Sequence, residues 1–475
     1  MPKPFFVTTP IYYVNGHPHL GHAYTTIAAD VIARFQKGLG QEVFFSVGTD
    51  EHGAKVATKA KESGKEPKEF VDEISAEFKT LWKKLNIDYT RFIRTTDPAH
   101  IAAVQKVLQT LFEKGAIYKG FYEGLYCVGC EQFKNEDDLV DGKCPDHGTI
   151  PELMKEESYL MKMTELQEKL IEKIKIDELA VRPERYKKEI LSFLEGEKLE
   201  DISISRKNVS WGIPLPFDSM HTTYVWVDAL LNYLTILGWD GNEKNIPQEW
   251  PADVQFIGKD ILRVHATIWP VILMHLGIPI QKLLFTHGHI LSGGKKMSKT
   301  LGNVISIDEL LERFGVDGTR YLLLSAGPFG EDVDVTMERL TEKYNADLAN
   351  GLGNLVSRVV KLSEQLDELP EGGFFQPKEE EALMPALHLV KEYKLAQALN
   401  DIWVQIRKLN QEIDEKKPWE MVKTDGEAFR KVMTNLLERI SLIGVSLQPF
   451  MPETSQKINE ALEKGKVEPL FQRIK

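Results

Sequence analysis

His19-Leu20-Gly21-His22 sets two imidazoles three residues apart, a spacing that puts both rings on one face of the opening turn of a helix. Free N–H groups and the helix dipole add positive potential at such a turn, so the tetrapeptide reads as a phosphate-binding corner. Gly21 leaves the backbone bare where an adenine ring can approach. Far along the chain, Gly293-Gly294 leads into Lys295, Lys296, Met297, Ser298, Lys299 and Thr300, a cationic loop. Either segment alone reads as ordinary surface. Together they supply what nucleotidyl transfer needs, which is little covalent help but strong stabilisation of charge spreading over phosphate oxygens. A carboxylate nucleophile is ionised at neutral pH, so its attack on an α-phosphate requires no general base. His19, His22, Lys296 and Lys299 are therefore the candidate catalytic residues.

A second constellation has a different chemistry. Cys127-x2-Cys130 followed by Cys144-x2-His147 has the ligand types and spacing of a four-coordinate structural zinc site. All four positions are filled, which leaves none open for catalysis. The chain has three cysteines, all within Cys127 to Cys144, so a disulfide framework is ruled out.

These groups must be held by elements that the hydrophobic pattern predicts. Phe5 to Thr9 reads as a buried strand, and apolar residues at Leu20, Ala23, Ile27, Val31 and Phe35 mark the helix that follows His19. Val43 to Val47 reads as a second strand, ending in Gly48-Thr49-Asp50-Glu51-His52-Gly53. Strand, loop, helix, strand is a parallel α/β unit, whose ligands sit at the carboxyl ends of strands. From 115 to 216 the pattern breaks into aromatic, Gly- and Cys-rich sequence and then a polar helical stretch, which reads as an insertion. Thr223 to Val227, Val254 to Gly258 and Leu283 to Phe285 all look strand-like. After about 340, Leu395, Leu399, Ile402, Ile406, Leu409 and Ile413 form the stripe of a bundle helix, and Leu369 to Glu379 reads as a loop.

The fold class expected is thus α/β. A Rossmann-like parallel-sheet catalytic domain (1–114 and 217–290) carries a zinc-binding insertion (115–216). A stem-contact region with the lysine loop (291–345) leads into an all-α helical bundle (346–475). At 475 residues, 27% charged and 42% hydrophobic, the composition is that of an ordinary soluble protein. The start lacks the apolar run of a signal peptide, so a cytoplasmic location is expected. The net charge of -12 argues weakly against nucleic acid, but a local basic face suffices to grip phosphates.

The chain resembles the methionyl-tRNA synthetase family of class I aminoacyl-tRNA synthetases. The likeness rests on Thr9-Pro10-Ile11-Tyr12-Tyr13-Val14-Asn15-Gly16 before His19, and on Thr49-Asp50-Glu51-His52-Gly53. Val225-Trp226-Val227-Asp228-Ala229, Phe256-Ile257-Gly258-Lys259-Asp260 and Lys417-Pro418-Trp419 follow in the family's order. The resemblance implies a methionine pocket of Ile11, Tyr13, Asp50, Trp226, Ala229, Leu230, Tyr233, His265 and Trp269. It puts Gly21, Lys259, Asp260, Ser298 and Thr300 beside ATP with its Mg2+, and assigns Asn354, Arg358 and Trp419 to reading the tRNA anticodon. The chemistry suits these roles: Asp50 can pair with an ammonium group, and an aromatic wall favours a polarisable thioether. Departures from the pattern are mild, with Leu20 in the second place of the first signature and Thr300 ending the second.

The implied activity joins methionine to the 3′-terminal adenosine of its tRNA through methionyl-adenylate. The rivals are a class I synthetase for another apolar amino acid, whose editing insertion would be much longer, and a catalytically idle tRNA-binding relative. Many relatives carry a C-terminal tRNA-binding and dimerising extension, and this sequence stops at Lys475 without one. The expectation is a monomer or a separate tRNA-binding partner chain.

Overall fold

The computed structural model describes residues 3–129, 132–134, 139–145, 147–207, 209–297, 302–366, 385–466 and 468–475. The chain divides into two compact units, each assembled from three separate segments. The first is Met1–Pro18, Val43–Leu81 and Tyr89–Thr286; the second is His19–Glu42, Trp82–Asp88 and His287–Lys475.

A seven-stranded sheet organises the first unit. Phe5–Thr8 is its axis, lying parallel to Val43–Asp50 on one side and to Val254–Gly258 on the other. Val43–Asp50 also pairs in parallel with Tyr12–Tyr13 and Arg91–Arg94. The burial of almost every residue of Phe5–Thr8 and Val43–Asp50 is what a parallel strand covered on both faces requires. Leu283–His287 extends the sheet and pairs in parallel with Ala180–Arg182, so the stretch read as an insertion lends one strand to the main sheet. The rest of that stretch includes a four-stranded antiparallel sheet in the order Gln132–Lys134, Ile117–Cys127, Glu152–Met161, Ile202–Ser203. One continuous apolar core, with Phe6, Leu108, Leu231, Trp250, Trp269 and Leu273 among its members, underlies the unit.

One expectation fails here. Thr223 to Val227 is not a strand: Asp218–Thr223 is, and the chain then turns into the helix Val225–Leu230. A short β-branched and aromatic run does not distinguish strand from buried helix by its pattern. The helix is fixed instead by contacts made by Asp228 with residues distant in sequence.

The second unit is mostly helical, with one small three-stranded sheet of Ile290–Ser292, Lys295–Lys296 and Val333–Asp334. Leu20–Gly38 carries the expected apolar stripe, and Leu20, Ala23, Ile27, Val31 and Phe35 are all buried. Leu395–Lys416 buries each of the six stripe positions named above. The loop expected over Leu369 to Glu379 lies outside the described residues.

Candidate active site

The carboxyl ends of the sheet strands in the first unit surround a cavity of about 250 Å3, near the small end of ligand sites, which run from roughly 300 to 1,000 Å3. Ile11, Tyr13 and Asp50 line it from one side, and Trp226, Ala229, Leu230, Tyr233 and His265 from the other. Asp50 ends the strand Val43–Asp50, is nearly buried, and is the one carboxylate in the lining. Trp269, grouped with these residues by sequence, stands behind the wall instead. It is fully buried and packs on Tyr233 and Trp250 with ring centroids 5.8 and 5.7 Å apart.

The polar atoms of this wall have defined roles. His265 Nδ1 lies 2.9 Å from the Ile261 carbonyl, which can only accept, so that nitrogen carries the proton. Nε2 is then the acceptor for the Tyr233 hydroxyl at 2.8 Å. Burial pushes the His265 pKa down to about 4 and the Tyr233 pKa up, so both are neutral at physiological pH. His265 sits in a π-helical turn, Val264–Ile268, an interruption that often marks functional sites. Opposite charges are thus confined to Asp50 and Lys55, the latter a lining residue that sequence reasoning did not find.

A polar network that sequence reasoning also missed holds the two walls in place. Asp228, on the helix that presents Trp226, Ala229 and Leu230, accepts from His52 Nδ1 and His100 Nε2, each at 2.7 Å. Burial opposes its charge, yet the two imidazoles hold its carboxyl below the ordinary range. Glu51, fully buried, is gripped by Arg94 through two hydrogen bonds of 2.6 and 2.9 Å. Asp50 is therefore followed directly by two clamped residues, Glu51 and His52.

In the second unit, His19 caps the helix Leu20–Gly38 and stacks on His22 with ring centroids 3.5 Å apart. The His19 N–H donates to His22 Nδ1 at 3.2 Å, which leaves Nε2 of His22 as the protonated nitrogen. Burial, aided by His19, holds the His22 pKa well below the ordinary histidine range, so it serves as a neutral hydrogen-bond donor. A Cβ at Gly21 would sit 3.2 Å from the His19 ring, so the glycine makes room for that imidazole. The glycines before the lysines also prove to have a defined job. Gly293 and Gly294, both at positive φ, form the two-residue turn of a hairpin that pairs Ser292 with Lys295 and Leu291 with Lys296. Lys295 and Lys296 are exposed on it. Ser298, Lys299 and Thr300 lie outside the described residues. Lys259 and Asp260, in the first unit, form a single helical turn directly after Val254–Gly258.

Cys127, Cys144 and His147 come together with their ligand atoms all within 4.8 Å of one another, and both cysteines are buried. Cys144 Sγ lies 3.8 Å from His147 Nδ1, close to the edge of about 3.5–3.8 Å that a tetrahedron with zinc–ligand bonds of about 2.0–2.3 Å would have. The donor set therefore fits zinc. Cys130, the remaining expected ligand, lies outside the described residues.

The anticodon candidates also converge. Asn354 opens the helix Asn354–Ser363 and is exposed, and Arg358 lies one turn on. The Arg358 guanidinium is 5.8 Å from the ring centroid of Trp419, which is 39% exposed, and 2.6 Å from Asp414. Trp419 lies on a short helix, Pro418–Thr424, set off by the left-handed conformation of Lys417.

Comparison with known proteins agrees with this geometry. Residues 5–150 and 146–360 match the family described as class I tRNA synthetases (M), and residues 369–470 match the anticodon-binding domain of methionyl tRNA ligase. The methionine–tRNA ligase of Caldanaerobacter subterraneus subsp. tengcongensis is 44% identical over 97% of this chain and 74% of its own length. That of Clostridium perfringens is 45% identical over 97% and 73%. The structure of Mycobacterium tuberculosis methionyl-tRNA synthetase in complex with methionyl-adenylate superposes with a TM-score of 0.88 at 36% identity, covering 96% of this chain and 93% of that one. Its free form gives 0.80 at 34% identity, covering 96% and 91%. With matches to both family models along most of its length and relatives of this closeness, the chain belongs to the methionyl-tRNA synthetase family of class I aminoacyl-tRNA synthetases.

Proposed function

We infer that this chain is a methionine–tRNA ligase. The observation that carries the inference is the cavity itself, where one nearly buried carboxylate faces a neutral, aromatic side of Trp226, Tyr233 and His265 at the carboxyl ends of parallel strands. Asp50 pairs with the ammonium group of methionine, while Trp226, Tyr233 and Ile11 enclose the thioether. Because burial keeps both Tyr233 and His265 neutral, the side of the wall they form sets no charge against a methyl thioether. Trp269 acts from behind, by fixing Tyr233.

ATP enters with its Mg2+, which shields phosphate charge. The methionine carboxylate attacks the α-phosphorus, the bond to the β-phosphate oxygen breaks, and pyrophosphate leaves. A ribose hydroxyl of the terminal tRNA adenosine then attacks the acyl carbon and releases AMP. We assign phosphate stabilisation to His19, His22, Lys296 and Lys299, and nucleotide contacts to Gly21, Lys259, Asp260, Ser298 and Thr300. Neutral His22 fits a donor that strengthens its hydrogen bond as charge develops. Cys127, Cys130, Cys144 and His147 would hold one structural zinc ion, which supplies a fixed turn and no chemistry to the reaction. Asn354, Arg358 and Trp419 would read the anticodon loop, by stacking and by hydrogen bonds to base edges. Among the described residues no helix is long and apolar enough to cross a membrane, in keeping with action in the cytoplasm.

ATP–pyrophosphate exchange with a panel of amino acids tests the reading. Exchange dependent on methionine is expected; exchange driven by leucine, isoleucine or valine, or by none of the panel, would overturn it. In the same assay Lys299→Ala should slow adenylate formation by about 100-fold or more while sparing methionine binding, since its charge acts in the transition state. An equal loss of methionine affinity would make the lysine structural.

A further inference from the structure

The cavity has one stretch of wall that does not come from the sheet or its helices. Gly129, in the turn between the metal-knuckle ligand Cys127 and Cys130, is part of the lining, and so is Lys55 at the start of the helix Ala54–Glu62. The two touch, with Lys55 Nζ donating to the Gly129 carbonyl at 3.2 Å. Opposite the cavity, the turn is pressed against the metal cluster. A Cβ at position 129 would stand 2.5 and 2.6 Å from the Cγ and Cδ2 atoms of the His147 ring. The neighbouring Val128 is 67% exposed, so apolar burial does not anchor the turn. Its position is set by the knuckle on one side and by an ammonium group on the other.

We propose that Lys55 is a positioning residue that latches the knuckle turn against the amino-acid cavity, so that the fit of the methionine side chain depends on the state of the knuckle. The inference rests on reading this cavity as the methionine site. A lysine suits a latch, because its compact charge makes a charge-assisted hydrogen bond while its four-carbon stem can swing clear as substrate enters and leaves. Lys55 lies five residues beyond Asp50, so one loop would both grip the ammonium group of the substrate and hold the wall. A loosened wall should admit a longer side chain, and discrimination by one methylene is a sensitive gauge of wall position.

The test is tryptophan fluorescence titration of the full chain with methionine and with ethionine, its analogue longer by one methylene. Lys55→Met should weaken methionine binding by about tenfold, the worth of one charge-assisted hydrogen bond. It should weaken ethionine binding less, so the preference for methionine falls several-fold. Lys55→Arg, which keeps the donor, should restore most of both. Stripping the knuckle with a chelator should weaken methionine binding in the wild type and add little in Lys55→Met, because both changes release the same turn. Unaltered methionine affinity and preference in Lys55→Met, or fully additive losses on chelation, would overturn the latch while leaving the methionine site in place. A wild-type chain that binds no methionine would overturn the reading of the cavity, and the latch with it.

Discussion

At the scale of single residues, the site depends on groups whose charge is decided by their surroundings. His265 is the clearest case, since burial lowers its pKa from 6.5 to about 4. Between those pH values the unfolded chain takes up a proton that the folded chain refuses. Its contribution to stability is therefore complete above pH 6.5 and lost as pH falls towards 4, by about 3 kcal/mol in all. Thermal melts of wild type and His265→Asn between pH 7.5 and 4.5 should show the wild-type advantage shrinking as pH falls. Parallel curves would mean that His265 titrates normally. Asp228 shows the converse arrangement: two imidazoles at 2.7 Å keep a buried carboxylate charged, and so hold the helix that carries Trp226.

At the scale of elements, position is set by where helices start and turns close. Left-handed Lys417 breaks the chain after Leu395–Lys416, and Pro418 at the first position of the next helix aims Trp419 beside Arg358. If Trp419 is a stacking platform for an anticodon base, Trp419→Ala should weaken tRNA charging by roughly 1–3 kcal/mol. Pyrophosphate exchange, which needs no tRNA, should be unchanged in the same preparation. Loss of both activities together would make the tryptophan part of the packing. The metal knuckle obeys the same logic. Cys144→Ser should lower bound zinc from about one ion per chain, read by elemental analysis, because two of the proposed ligands are buried thiols. Full zinc content in that variant would remove Cys144 from the site.

At the scale of the molecule, the second unit gathers three distant segments, and one side chain joins all of them. Arg320 has no exposed surface and donates to Asp30 Oδ2 at 2.6 Å, to the Leu85 carbonyl at 3.2 Å, and to the Phe450 and Pro449 carbonyls at 2.8 and 3.1 Å. Asp30, equally buried, also accepts from Arg34 and from the Asp88 N–H. The helix that begins at His19, the segment Trp82–Asp88 and the turn before Pro452–Lys464 thus meet at one ion pair. Arg320→Met should destabilise the unit by about 3–5 kcal/mol, because it strands a buried carboxylate. Adding Asp30→Asn should recover part of that loss. Melting curves in which the two changes simply add would show that the pair is not coupled.

The sequence by itself determined the elements whose signal is local. The stripes of Leu20–Gly38 and Leu395–Lys416, the buried strands Phe5–Thr8 and Val254–Gly258, and the ligand spacing of the knuckle all follow from periodicity or short-range geometry. The motif residues of the cavity were legible only through their likeness to a family, since an isolated Trp226 or Tyr233 reads as core. Tertiary structure decided the rest. It turned Thr223 to Val227 from a strand-like run into the start of a helix, and moved Trp269 out of the cavity wall. It also brought Lys55 to Gly129 across 74 residues and His100 to Asp228 across 128. A pattern along the chain records which face of an element is buried, but not which distant charge will satisfy a buried polar atom. That is settled only when the sheet and its loops close around one cavity.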